Sequence, residues 1–155
     1  MIRQMTEPSL QIRFAATESA VRPVLRQTLS CFADRLSEED AGKLELTLAE
    51  VLNNIVEHAF AGRPPGYVHL AVTRESAAVF CRVEDDGQPM PGLRLPKGAF
   101  VPVAERIEDR AEGGWGWALI RALTFDLAYE RTACRNYLTF RVPAATLGAG
   151  ASGSG

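Results

Sequence analysis

Glu50-Val51-Leu52-Asn53-Asn54-Ile55-Val56-Glu57-His58 is the stretch that decides how the chain is read. At about 100° per residue, Leu44, Leu48, Val51, Leu52, Ile55 and Ala59 fall on one apolar stripe of a helix. Glu50, Asn54 and His58, each four residues apart, stack on a line beside that stripe, about 6 Å apart along the axis. Polar groups beside an apolar face, rather than opposite it, sit at the lip of a cleft between the helix and whatever it covers. Asn53 and Glu57 lie further round, where solvation is their expected role. An Asn oxygen is a hard, neutral ligand suited to Mg²⁺. A carboxylate one turn earlier is placed to accept a proton from an attacking hydroxyl or water. Taken alone, the triplet is more simply a solvated helix flank, so the rest of the chain must supply the partners.

Outward from this helix the pattern is regular. Ser37-Glu38-Glu39-Asp40 resembles a capping box that opens it, and Gly62-Arg63-Pro64-Pro65-Gly66 closes it after about Ala61. Before it, Thr17–Leu36 has helical spacing through Val21, Val24, Leu25, Leu29 and Phe32, with Pro23 tolerable if it lies in the first turn. Leu10–Ala15 alternates as a half-buried strand does. After it, Tyr67–Arg74 and Ala78–Glu84 read as strands joined near Glu75-Ser76. From Gly87 to Gly113 the chain carries Pro89, Pro91, Pro96 and Pro102, with only a weak helical stretch at Val103–Arg110. Such a segment is usually a functional lid. Trp115–Leu123 forms a helix, and Leu127–Arg131 and Tyr137–Val142 a closing pair of strands turned at Ala133–Asn136. The order β-α-α-β-β-lid-α-β-β predicts an α/β, two-layer (α+β) sandwich: one mixed sheet with three helices on one face. Residues 1–143 form the single domain and 144–155 a flexible Gly/Ala/Ser tail.

The bulk numbers agree. A chain of 155 residues, 46% hydrophobic and 23% charged, is an ordinary one-domain protein. A net charge of -2 argues against direct nucleic-acid binding. Neither a membrane-spanning run nor a signal-peptide pattern is visible. The cysteines Cys31, Cys81 and Cys134 lie in apolar surroundings and read as core or near-core thiols of a cytoplasmic protein.

Two further motifs supply the partners. The strand ending at Glu84 delivers Asp85, Asp86 and Gly87. There a buried Asp85 can accept from the exocyclic amine of adenine, Gly87 lets a base approach the backbone, and Pro89 stiffens the exit, although Asp-x-Gly alone is also a plain turn. Gly113-Gly114-Trp115-Gly116 leads into a helix, where freed backbone amides and the helix dipole suit phosphate. No Lys-Ser or Lys-Thr follows, so this is not a P-loop, and with the third glycine missing and the lid rather than a strand before it, it is not a dinucleotide fingerprint. A hinge with Trp115 and Trp117 in the core is the plain alternative.

Together and in this order, Glu50-x-x-x-Asn54-x-x-x-His58, Asp85-x-Gly87-x-Pro89 and Gly113-Gly114-x-Gly116 resemble the N, G1 and G2 boxes of the GHKL (Bergerat-fold) ATPases. The small size, the run Gly113–Arg121 and the later Tyr129-Glu130-Arg131 and Asn136–Thr139 look most like the anti-sigma factor serine kinases of the RsbW/SpoIIAB type. The resemblance runs from Leu10 to Val142. It implies an ATP- and Mg²⁺-dependent serine-protein kinase of a partner-switching module. Its substrate would be a serine of a STAS-domain antagonist, and it would sequester a sigma factor or other client, as a homodimer meeting through the first strand. By the same resemblance, Asn54 binds Mg²⁺, Glu50 is the general base and Asp85 reads adenine. Gly87, Gly114 and Gly116 shape the pocket, His58 supports it, and Thr139 helps hold adenine through water. Glu112 stands where relatives often carry a basic residue for the γ-phosphate, so Arg110 or Arg106 is expected to substitute. The competing readings are a non-catalytic sequestration module and the ATPase domain of a sensor histidine kinase, which would need a phospho-acceptor helix pair.

Overall fold

The computed structural model describes residues 8–97 and 114–146. The chain begins with strand β1 (Ser9–Ala15), then helices α1 (Glu18–Cys31) and α2 (Glu38–Asn54), the latter running on into a π turn, Ile55–Ala59. Strands β2 (Tyr67–Arg74) and β3 (Ala78–Asp85) follow, then a 3-10 turn at Pro91–Leu93, helix α3 (Gly114–Leu123), and strands β4 (Phe125–Thr132) and β5 (Arg135–Pro143). Every expected strand and helix among the described residues is present. The stretch Val103–Arg110 lies outside them.

The five strands lie in the order β1-β2-β3-β5-β4, and all four pairings are antiparallel. The sheet is therefore not mixed, and the geometry explains why. Two helices in succession, α1 and α2, cancel each other's direction, so β2 comes back against β1. The crossover through α3 does make β4 run parallel to β3, but β5 inserts between them and removes the only place for a parallel ladder.

Alternation along the strands sets the layers. On β5, Asn136, Leu138, Phe140 and Val142 are buried toward the helices, and Tyr137, Thr139 and Arg141 lie on the other face. The core joins Leu44, Leu48, Val51 and Leu52 of α2 to Leu70, Val83, Phe140 and Ile120. Each such side chain contributes about 1.5–3 kcal/mol by leaving water.

Some boundaries differ from expectation. α1 stops at Cys31 rather than Leu36, and Pro23 lies inside it, beyond the first turn. Pro23 and Ser19 are exposed, so water can serve the carbonyl that the missing N–H leaves free. Ser37 caps α2 by accepting from the Asp40 amide at 3.1 Å. Asp40, however, does not reach back to complete a box; its carboxylate accepts from the Ala145 amide at 2.9 Å. Ala144 is buried, so the first residues expected in the tail are tied into the domain. Cys81 alone is buried. Cys31 and Cys134 are exposed, Cys134 because it occupies, with Ala133, the left-handed turn between β4 and β5 (φ 63° and 50°).

At the end of the sheet where β2 meets β3, Arg74 is buried and surrounded by carbonyls. Its guanidinium donates to Arg35 at 3.1 Å, Glu75 at 2.6 Å, Ala78 at 3.2 Å and Ala145 at 2.7 Å. One planar cation thus ties together the α1–α2 link, the β2–β3 turn and the segment after β5.

Candidate functional site

α2 places Glu50 and Asn54 one turn apart, as its spacing requires, and ends at Asn54. The π turn then intervenes, so His58 leaves the straight line drawn from the sequence. Its side chain is 59% exposed and stands 3.8 Å from the Glu57 carboxylate. The last carbonyls of a helix lack internal partners, and here the loop after β3 supplies them. Gln88 donates through its side chain to the His58 carbonyl and through its backbone to the Ala59 carbonyl at 2.8 Å.

That loop begins at Asp85, which is 5% exposed. Its Oδ1 accepts from the Gly87 amide and from Asn136 Nδ2, both at 2.9 Å. Burial pushes the carboxyl above its ordinary value, and the bonds from Asn136 and Gly87 pull it part of the way back. Gly87 is required by the protein itself. A Cβ there would lie 2.5 Å from the Ala59 carbonyl oxygen and 2.6 Å from its Cβ, so the glycine lets the loop close on the π turn.

α3 brings the third part. A Cβ on Gly116 would meet Glu50 Oε2 at 2.8 Å and Asn54 Nδ2 at 3.1 Å. The helix start thus packs against the two α2 residues singled out for chemistry. Among the described residues, Asn54 Nδ2 is the one buried side-chain polar atom without a hydrogen-bond partner. The first N–H groups of a helix likewise have no intrahelical acceptor.

These elements enclose a cleft of about 500 Å³ lined by Asn54, His58, Asp85, Gln88, Pro89 and Met90, with Trp117, Tyr129, Asn136 and Leu138 on its other walls. Its size and largely apolar lining with a few convergent polar groups suit a small ligand. Glu50 stands one turn behind Asn54, against Gly116. A second groove, between α1 and α2, is lined by Glu18, Leu25, Arg26, Leu29, Glu45 and Asn53, and none of the predicted site residues enters it.

Glu50, Asn54 and Gly116 are therefore brought together, and His58, Asp85, Pro89 and Trp117 line the cleft with Asn54. Thr139 is a correction: it lies on the helix-free face of β5, opposite Arg82 and Ala128, and cannot reach a base in the cleft. The residue on the cleft side at that end of β5 is Asn136, three positions earlier and of opposite parity. Gly114 opens α3. Arg106, Arg110, Glu112 and Gly113 lie outside the described residues. Sequence reasoning missed Asn136, Tyr129, Arg131 and Gln88. Strand parity, counted from the buried Leu138 and Phe140, is the signal that would have exposed Asn136.

The family described as the histidine kinase-like ATPase domain matches residues 14–142, nearly the whole described fold. The chain belongs to this family. This ATPase domain is 34% identical over 106 residues to the serine/threonine-protein kinase BtrW of Bordetella bronchiseptica, covering 68% of the chain and 72% of that relative. In fold it is similar to the RsbU and RsbW domains of a Mycobacterium tuberculosis protein, with a TM-score of 0.57, 23% identity and 90% of the chain covered. It is also similar to a blue-light activated histidine kinase of Erythrobacter litoralis, with a TM-score of 0.51, 26% identity and 72% covered. The chain spans 34% and 33% of those two proteins.

Proposed function

We propose that this ATPase-family domain is a serine-protein kinase that also sequesters a regulatory client, switching partners with nucleotide state. The observation that carries the reading is the meeting of Glu50, Asn54 and Gly116, a carboxylate and an unpartnered amide held against the opening turn of α3. Similarity to a protein named as a serine/threonine kinase supports it.

In this reading ATP enters the cleft with its adenine at Asp85 and its phosphates toward α3. The donor set around Asn54 suits Mg²⁺. Nδ2 is the buried end of the amide, which leaves the hard oxygen for a cation. Among the described residues no cluster of three or more His, Cys, Asp or Glu could hold a metal alone, so the phosphates would complete the coordination. When bound, the cation neutralises charge that builds up on the phosphates. Glu50 takes the proton of the substrate serine as its oxygen forms a bond to the γ-phosphorus and the bond to the ADP oxygen breaks. His58, exposed and 3.8 Å from the Glu57 carboxylate, lines the entrance without a place in the proton path.

The partner is a STAS-domain antagonist presenting that serine, and the client a sigma factor or other regulator. Among the described residues β1 is an edge strand bonded only to β2, which supports pairing with a second copy. Among the described residues no helix is long and apolar enough to cross a membrane, and the free thiols support a reducing, cytoplasmic setting. Incubation with γ-labelled ATP, Mg²⁺ and the antagonist tests the reading. Label on the antagonist's serine is expected; a preparation that binds ATP yet transfers none would falsify the kinase assignment and leave a sequestration module. A pull-down with and without ATP identifies the client, whose retention should depend on nucleotide.

A further inference from the structure

Asn136 has no role in the phosphoryl chemistry, yet its hydrogen bonding is complete. Nδ2 donates to Asp85 Oδ1 at 2.9 Å and to the Gln88 carbonyl at 2.9 Å. Oδ1 accepts from the Tyr129 hydroxyl at 2.6 Å and from Arg131 Nη1 at 2.9 Å. The orientation of an Asn amide is often ambiguous, but here the neighbours force it. A guanidinium can only donate and a carbonyl can only accept, so the oxygen must face Arg131 and the nitrogen Gln88. Tyr129 and Arg131 are themselves anchored in the loop, accepting from the Met90 amide at 3.0 Å and donating to the Gly87 carbonyl at 2.7 Å. Both donors and both acceptor sites of Asn136 are used, so it acts on a ligand only through Asp85.

The consequence falls on the Asp85 carboxylate. Oδ1 is occupied by Gly87 and Asn136, which fixes the plane of the group; Asp85 lines the cleft, and Oδ2 is the oxygen that takes no partner among the described residues and is left to a ligand. We infer that Asn136, locked by Tyr129 and Arg131, is a specificity-determining positioning residue that makes Asp85 select purines bearing an exocyclic amine over those bearing a carbonyl at that position. The inference rests on the reading of the cleft as an adenine-nucleotide site. An ionised Oδ2 accepts from an amine and repels a carbonyl oxygen. A carboxyl freed from Asn136 can rotate, or take up a proton and donate to the carbonyl, and the discrimination is lost. Burial already pushes the group toward its protonated form, so the donor from Asn136 is one of the bonds that oppose this.

The test is binding of ATP, ADP and inosine triphosphate, which carries a carbonyl in place of the adenine amine, to the full chain and to Asn136→Leu. The wild type is expected to favour ATP over the inosine nucleotide. In the variant that ratio should fall about ten- to a hundredfold, the range of one hydrogen bond to a charged group, while the ATP-to-ADP ratio, which reports the phosphate end, stays put. A general loosening of the fold would weaken all three ligands together. Tyr129→Phe, which removes one anchor and keeps the ring, should lower the ATP-to-inosine ratio by about twofold to fivefold and serves if the Leu variant does not fold. An unchanged ratio in a folded variant overturns the role of Asn136 alone. A wild type that binds no adenine nucleotide overturns the nucleotide reading and this inference with it.

Discussion

At one end of β3 the buried Arg74 directs its donors at four backbone carbonyls. At the other end the buried Asp85 commits one oxygen to Gly87 and Asn136, and Asn54 nearby keeps a buried nitrogen without a partner. Both ends take a charged residue out of water, which is costly unless its hydrogen bonds are made. The Arg74 end gives each of its three nitrogens a carbonyl within the chain, and its work is holding three segments together. The Asp85 end leaves its second carboxylate oxygen without a partner among the described residues, and an unmade bond at a cleft-lining residue is an offer to a ligand. Satisfaction, rather than burial or charge, separates the architectural end from the working one.

That contrast breaks most sharply at Glu50. Glu50→Gln keeps the shape and removes the proton acceptor, so transfer to the antagonist should slow by about 10²–10⁴-fold in single-turnover assays, with ATP affinity and thermal stability near wild type. A transfer rate equal to wild type removes Glu50 from the chemistry. Arg74→Met tests the opposite end. It strands the carbonyls of Arg35, Glu75 and Ala145, while that of Ala78 keeps the Glu75 amide at 2.8 Å, and should cost about 3 kcal/mol in urea unfolding, with ATP affinity of the folded fraction unchanged. Loss of ATP binding at constant stability would mean the two ends are not separate in role.

Gly116→Ala sharpens the comparison within the working end. Its methyl would stand 2.8 Å from Glu50 Oε2, so Glu50 must shift, and transfer should drop about tenfold. Alanine is the better helix former by about 1 kcal/mol, so the melting temperature should hold. A parallel fall in both would assign the glycine to packing alone.

The smallest effect is expected from Asp85→Asn on stability. The folded Asp85 carboxyl lies above its ordinary value, so the native state holds that proton more tightly than the unfolded chain. Stability from this group is therefore greatest below the ordinary carboxylate range, falls as pH rises through the folded value, and stays lower above it. Asparagine removes the fall. The variant should melt at or above the wild-type temperature near neutral pH, with the gap closing in acid. A variant that melts lower at neutral pH would show that the ionised group supports the fold.

Much of this was legible in the residues. The stripe Leu44–Ile55 buried the face its period indicated, and alternation in β2, β3 and β5 gave the strand faces. What escaped has physical reasons. Antiparallel pairing throughout depends on where β5 inserts, and no local pattern encodes which strands become neighbours. The π turn at Ile55–Ala59 changes the residue count per turn without a sequence signature, so His58 left its line. Gly87 looked like an opening for a base, whereas its neighbour is the Ala59 backbone, a contact between segments far apart in sequence. Thr139 and Asn136 differ by strand parity, and a one-residue slip reverses the face. Cys134 is exposed because a tight turn intervenes, and Cys31 is exposed at the last position of α1.

The insertion of β5 between β3 and β4 also bears on how the protein is made. In a chain made from its N-terminus, β2 is available to β3 first, and the other edge of β3 has no partner while the segment to α3 and the whole of β4 are synthesised. Only when Arg135–Pro143 arrives does that edge close, and the same strand carries Asn136 to Asp85. Until then the nascent chain presents an unpaired strand edge, a template for misassociation. The ligand cleft and the closed sheet are therefore completed by one event, and a chain stalled before β5 has neither.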